Sequence, residues 1–196
     1  MNKKNKTLII LAVIILLTVL WSVRTYNGFI PLEEDVTSQW ANVENVYQRR
    51  ADLIPNLVST VKGYAEHEQE TLTGVIEARA KATSVSIDPS KLSPKAIATF
   101  QQAQDGLSSA LSRLLVSVER YPDLKANRNF LELQSQLEGT ENRIAVERRK
   151  FNEVTKAYNT KIRRIPARFI AGIGGLEEKG YFEASAGSET APVVEF

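Results

Sequence analysis

Cysteine is absent from the 196 residues, and histidine occurs once, as His67. The first absence excludes disulfides, thiolate zinc sites and thiol nucleophiles; it suits a domain outside the cytoplasm without requiring one. The second leaves little for metal chemistry. A histidine with two carboxylates can hold an ion, and Glu66 and Glu70 would share a helix face near His67, but no second histidine exists. No metal or cofactor is therefore expected. A strong charge of one sign is also lacking. The formal net charge is +2, but residues 1–24 carry Lys3, Lys4, Lys6 and Arg24 with no acid, leaving 21 basic against 23 acidic side chains beyond them. A nucleic-acid binder would carry a basic stripe on its folded part, so no nucleic-acid partner is expected.

Long apolar runs are absent with one exception. Residues 7–23, from Thr7 to Val23, hold no charge and follow the basic flank 1–6. As a helix they would measure about 25 Å, near the roughly 30 Å of a bilayer core. Trp21, Tyr26 and Phe29 stand at the far end, where amphipathic rings favour the headgroup layer. A signal peptide would have a shorter apolar stretch and a small-x-small exit; Leu20-Trp21-Ser22-Val23-Arg24 offers none. The expectation is an uncleaved single-pass membrane anchor. Lysines before the span and Glu33, Glu34 and Asp35 after it put the amino terminus in the cytoplasm and the remaining domain outside.

From Leu32 onward the pattern is helical, which makes the chain all-α: a transmembrane helix, then an antiparallel up-and-down bundle of three long helices and one short one over residues 28–176. Val36, Trp40, Val43, Tyr47, Ile54, Leu57, Val61 and Tyr64 recur at steps of three and four. Pro55 should kink this first helix, which otherwise runs to about residue 82. Ser93 and Pro94 open a second helix as cap and first position, with the seam Ile97, Phe100, Gln104, Leu107, Leu111, Leu114, Val118 and Tyr121. The third, about 127–164, repeats every seven residues at Phe130, Leu137, Ile144, Phe151, Tyr158 and Ile165, the period of a left-handed supercoil. Residues 168–175 suit a short helix closed by glycines, and 177–196 read as a flexible tail.

Three surfaces invite a functional reading. Counting back from turns at about 82–94 and 121–127 brings Arg50 and Asp52 level with Glu119, Tyr121 and Asp123. Arg50 lies on the apolar phase, where an unpaired charge is costly, so Asp123 or Glu119 is its expected partner in a clasp at the bundle end. The same count leaves Val36, Trp40, Val43 and Tyr47 on an uncovered stalk, a stripe suited to self-association, unless the carboxyl-terminal segment folds back over it. The chain ends Pro192-Val193-Val194-Glu195-Phe196, apolar residues beside a free carboxylate that suit capture as an added strand. Glu138 and Glu141, three apart on a helix beside Arg143, read as surface ion pairs rather than a general acid and base. The run Gly172-Ile173-Gly174-Gly175 neither follows a strand nor opens a helix, so it is no phosphate loop.

Arg49-Arg50-Ala51-Asp52-Leu53-Ile54-Pro55-Asn56-Leu57-Val58, Glu119-Arg120-Tyr121-Pro122-Asp123-Leu124-Lys125-Ala126 and Leu137-Glu138-Gly139-Thr140-Glu141-Asn142-Arg143-Ile144, with Tyr181-Phe182 and the closing five residues, give the chain its resemblance to the bacterial LemA family. The resemblance implies an up-and-down bundle anchored in the bacterial inner membrane and supplies no catalytic residue, cofactor or small-molecule substrate. The expected function is a non-enzymatic envelope adaptor with protein partners. The alternative is an envelope sensor or regulator binding a small ligand between helices, with a hydrolase third.

Overall fold

The computed structural model describes residues 3–64 and 68–184. Helix α1 (Lys3–Asn27) carries its apolar side chains almost entirely exposed and is long and apolar enough to cross a membrane. A tight turn at Gly28, where a Cβ would lie 3.3 Å from the Thr25 carbonyl, leads into α2 (Ile30–Lys62). Pro31 occupies its first turn, where no amide hydrogen is missed. Beyond it come α3 (Gln69–Ser84), a 3₁₀ turn at Pro89–Lys91, α4 (Pro94–Val118), α5 (Pro122–Lys125), α6 (Arg128–Arg163) and α7 (Ala167–Ile173). Among the described residues there is no strand. The all-α, up-and-down architecture is as the periodicity predicts.

The first helical segment differs from expectation. It does not run on to residue 82: α2 stops at Lys62, and α3 folds back along it. The apolar phase explains the break, since Glu66, His67, Glu68, Gln69 and Glu70 offer nothing to bury after Gly63 and Tyr64. Pro55 stays inside α2. Lacking an amide hydrogen, it frees the carbonyl four residues earlier, and that carbonyl, of Ala51, accepts a bond of 2.7 Å from Arg79 Nε on α3. The proline's missing bond is thus replaced by one that ties the hairpin together.

Ser93 caps α4 by accepting from the Ala96 amide, and Asn127 caps α6 by accepting from that of Phe130. The heptad positions Phe130, Leu137, Ile144, Phe151 and Tyr158 are all buried, while Ile165, past the helix end, is exposed. Two cores result. The distal one is aliphatic, with Ile54, Leu57, Val61, Leu72, Leu107, Leu114 and Leu137 among α2, α3, α4 and α6. The one nearer α1 is aromatic, with Phe29, Trp40, Tyr47, Phe100, Phe151, Tyr158 and Phe182.

Phe182 corrects two expectations. Residues 177–183 are not a loose tail: Lys179, Gly180 and Phe182 are buried. The stripe of Val36, Trp40, Val43 and Tyr47 is not exposed either, being at most 5% accessible. Phe182 stacks on Trp40 at 6.1 Å between centroids, and Phe100 and Phe151 meet the same indole edge-on at 5.1 and 5.6 Å. Where α3 gives out, this carboxyl-terminal strap takes the place of a fourth helix.

Candidate functional site

Three polar assemblies stand out along the bundle. The first holds the strap. Asn159 Nδ2 donates to the Lys179 carbonyl at 2.8 Å while its Oδ1 accepts from the Lys179 amide at 2.9 Å. Asn152 repeats this pair on Phe182, at 2.8 and 2.9 Å. Gln101 on α4 does the same to Glu183, at 3.1 and 3.0 Å. Each carboxamide presents one donor and one acceptor, the pattern a neighbouring strand would present. The spacing explains the fit: seven helical residues from Asn152 to Asn159 rise about 10.5 Å, and three extended residues from Lys179 to Phe182 span about 10 Å. Gly180 lies so close to α4 that a Cβ would stand 2.7 Å from Pro94 Cα. Its amide donates to the Leu92 carbonyl at 2.8 Å. Lys179 Nζ reaches Glu33 at 2.9 Å and the Ser90 carbonyl at 3.2 Å, and lies over the Tyr158 ring. Burial first, then the charges of Glu33 and Glu177, hold the Tyr158 phenol above its ordinary value.

The second assembly surrounds Arg50, which is 1% exposed. Nη1 donates to Glu141 Oε1 at 2.6 Å and Ser108 Oγ at 2.8 Å; Nη2 donates to the Gln104 side-chain oxygen at 2.7 Å and its carbonyl at 3.2 Å. Gln104 in turn donates to the Ala82 carbonyl at the end of α3. The one polar residue in the α4 seam and the one cation in the α2 seam therefore answer each other. Arg50 Nε has no partner, and the guanidinium sits 5.1 Å from the Tyr47 ring centroid. Burial pushes the Tyr47 phenol up, against the opposing charges of Arg148 and Arg50. A cleft of about 390 Å³ opens here beside Asp105, Glu141 and Arg148.

The carboxylate that Arg50 requires is thus Glu141, not Asp123 or Glu119. The count that pointed to the far turn assumes one helix through residue 82, and the α2–α3 hairpin removes that assumption. Asp52 instead accepts from Gln48 on its own helix, at 2.7 Å, and Asp123 is exposed. Glu119 pairs with Lys125 within the turn.

That turn forms the third assembly with different partners. Glu68 accepts from Arg120 at 2.7 Å and from the Tyr121 hydroxyl at 3.0 Å, and Asn127 donates to the Tyr64 hydroxyl at 2.8 Å. The hydrogen bond to Glu68 is the chief reason the Tyr121 phenol is raised. Tyr64 and Glu68, together with the 119–127 turn, thereby close the distal end of the bundle.

His67, Glu66 and the closing Pro192-Val193-Val194-Glu195-Phe196 lie outside the described residues, among which no group of three or more potential metal ligands gathers. Nothing in the hydrophobic period points to Gln101, Asn152 and Asn159. The available signal is that Asn152 and Asn159 directly follow the heptad residues Phe151 and Tyr158.

The family model of the LemA family matches residues 39–196, which takes in all three assemblies apart from Glu33. The chain belongs to the LemA family. Relatives of this LemA-family chain include magnetosome protein MamQ 1 of Paramagnetospirillum magneticum, 26% identical over 190 residues, covering 86% of this chain and 68% of the relative. MamQ of Magnetospirillum gryphiswaldense is 27% identical over the same shares. Protein LemA of Metamycoplasma hominis is 24% identical over 153 residues, 78% of this chain and 66% of that protein.

Proposed function

We propose that this protein is a membrane-anchored, non-enzymatic adaptor of the bacterial cell envelope, with its amino terminus in the cytoplasm and its bundle outside. The observation that carries the reading is the strap. Three carboxamides, a glycine and a stacked phenylalanine are committed to fixing residues 179–183 against the bundle. Such a clamp gives the segment that follows a defined starting point, and the last five residues have the chemistry of a strand added to a partner's sheet edge. The seam beneath is filled with aromatic rings, as suits a scaffold more than a ligand chamber. Membership of the family and relatives named as magnetosome proteins and Protein LemA support the class of protein and supply no substrate.

Deleting residues 192–196 tests the reading in intact cells. Loss of a crosslinked partner with unchanged thermal stability supports capture of the tail in trans. A clear fall in melting temperature with partners retained makes the tail part of the protein's own core. Protease added to spheroplasts should degrade the bundle; full protection would reverse the orientation.

A second reading is a sensor, favoured by the cleft at Arg50, Glu141 and Arg148. It is the weaker one because both terminal nitrogens of Arg50 are already engaged by the protein's own groups.

A further inference from the structure

Helix α7 is sorted by face in a way the bundle does not explain. Ala167 and Ala171, four apart, are buried against the aromatic core. Phe169 and Ile173, also four apart, are 67% and 86% exposed, and Ile165 just ahead of the helix is 78% exposed. Ala167, Ala171 and the half-buried Ile170 therefore face the protein, while Phe169 and Ile173 face outward, a large apolar pair where a solvated surface helix would carry polar residues. The helix end is closely placed: a Cβ on Gly174 would stand 2.5 Å from Tyr26 Cε2, on the last turn of α1. Gly175, at φ +69°, lets the chain turn away, with the Leu176 amide returning to the Ala171 carbonyl at 3.0 Å.

Tyr26 is three residues past Val23, the end of the apolar run, which amounts to about 4.5 Å of helix. If α1 spans the bilayer, Ile173 and Phe169 stand at the depth of the headgroup layer. Trp21, Tyr26 and Ile30, all more than one-third exposed, belong to the same belt. Arg24, Lys161, Arg163, Arg164 and Arg168 are exposed on the segments that flank it, against the exposed Glu34, Asp35, Glu177 and Glu178, the last paired with Arg163 at 3.6 Å; the small excess of cations beside an apolar face favours an anionic lipid surface.

We infer that the outer face of α7, Ile165, Phe169 and Ile173, is a second membrane contact. It embeds in the leaflet from which α1 emerges and fixes the bundle's tilt on the bilayer. The occupant is lipid because the face continues the lipid-facing surface of α1. This inference rests on α1 being a membrane span.

The absence of native cysteine makes the test direct. Single-cysteine variants of the full chain at Leu16, Phe169, Ile173 and Val116 carry an environment-sensitive fluorophore in vesicles of phosphatidylethanolamine and phosphatidylglycerol. Phe169→Cys and Ile173→Cys should shift to the blue and lose emission to lipids brominated near the headgroup. Leu16→Cys should respond to lipids brominated deep in the chains, and Val116→Cys, exposed on α4 in the distal half, to neither. If Leu16→Cys is quenched while positions 169 and 173 behave like 116, the inference fails and the anchor stands. If Leu16→Cys is unquenched, the span itself falls and the inference with it. A blue shift at 173 that follows protein density and resists quenching would assign the face to a second copy and overturn the lipid contact.

Discussion

The half of the bundle nearer α1 and the distal half are built on different rules. The distal half is four helices deep, and its core, chiefly leucines, valines and isoleucines with Phe130, follows the helical period. The nearer half has three long helices, and its fourth wall is the loop after α3 together with an extended strap. Aromatic rings fill the space there because an extended segment keeps less apolar surface close to its neighbours than a helix does. Large planar side chains bridge the wider gap, and edge-to-face contacts add to the area they bury. Arg50, Gln104 and Glu141 form a polar layer between the halves, where Gln104 meets Ala82 in the last turn of α3 and the fourth helix is lost.

The largest expected effect tests the aromatic half. Trp40 touches Phe100, Phe151 and Phe182, so Trp40→Ala should destabilise by about 4 kcal/mol, within the range for a large aromatic removed from a core. Leu114→Ala in the distal half should cost about 3 kcal/mol. Urea unfolding of both variants measures the difference. A Trp40→Ala cost below that of Leu114→Ala would mean the strap leaves the aromatic core loosely packed.

The polar layer comes next. Glu141→Ala leaves Arg50 buried without its counter-charge while Ser108 and Gln104 remain as acceptors. Removing one partner of a buried pair costs 3–5 kcal/mol, but the Glu141 carboxylate is 45% exposed and hydrated. About 2 kcal/mol is expected after that discount. Glu119→Ala, at the position counted as the partner from sequence, should change stability by less than about 0.5 kcal/mol. Thermal unfolding of the two variants distinguishes the observed partner from the expected one.

How far the sequence carries follows from these residues. The demand of Arg50 for a carboxylate was legible, because a cation on the apolar phase has few other solutions. Which carboxylate was not, since that depends on α2 ending at Lys62 and α3 packing back along it, which no proline announces. The seams of α4 and α6 were legible in their spacing. That the carboxyl-terminal segment could cover Trp40 was legible as an alternative, but the residues that do so were not, because Lys179-Gly180-Tyr181-Phe182 has no period, and what holds it is chiefly its backbone, read by Asn152, Asn159 and Gln101. Side-chain patterns do not register such a partner. The apolar span was plain, while the outward apolar face of α7 is too short to have a measurable period.

Gly180→Ala addresses the strap directly. The new methyl would meet Pro94 Cα and Ile97 Cγ1 at 2.7 and 3.0 Å, and the first of these is backbone and cannot swing aside. A destabilisation of about 1–2 kcal/mol is expected from overpacking of this kind. It should be local. Amide exchange at Lys179, Phe182 and Glu183 should quicken, since the carboxamide clamps lose register, while amides of Leu111 and Leu114 keep their protection. Equal loss in both halves would show that the strap and the distal helices unfold as one unit.

The smallest effect lies at the distal end, where two ion pairs a few residues apart invite comparison. Glu68 is 10% exposed and accepts from both Arg120 and the Tyr121 hydroxyl; Lys125 and Glu119, which pair with each other, are 56% and 63% exposed. Pairing in water gains little because solvent already satisfies both charges and two long side chains must be held still. Lys125→Ala should therefore shift stability by no more than about 0.3 kcal/mol, and added salt should leave even that unchanged within error. Glu68→Ala removes a largely desolvated acceptor from two donors that tie the start of α3 to the 119–127 turn, which should cost about 1 kcal/mol. The melting temperatures of the two variants, measured at low and high salt, decide whether this end is closed by Glu68. Equal and salt-sensitive losses would show that both pairs act only through surface charge.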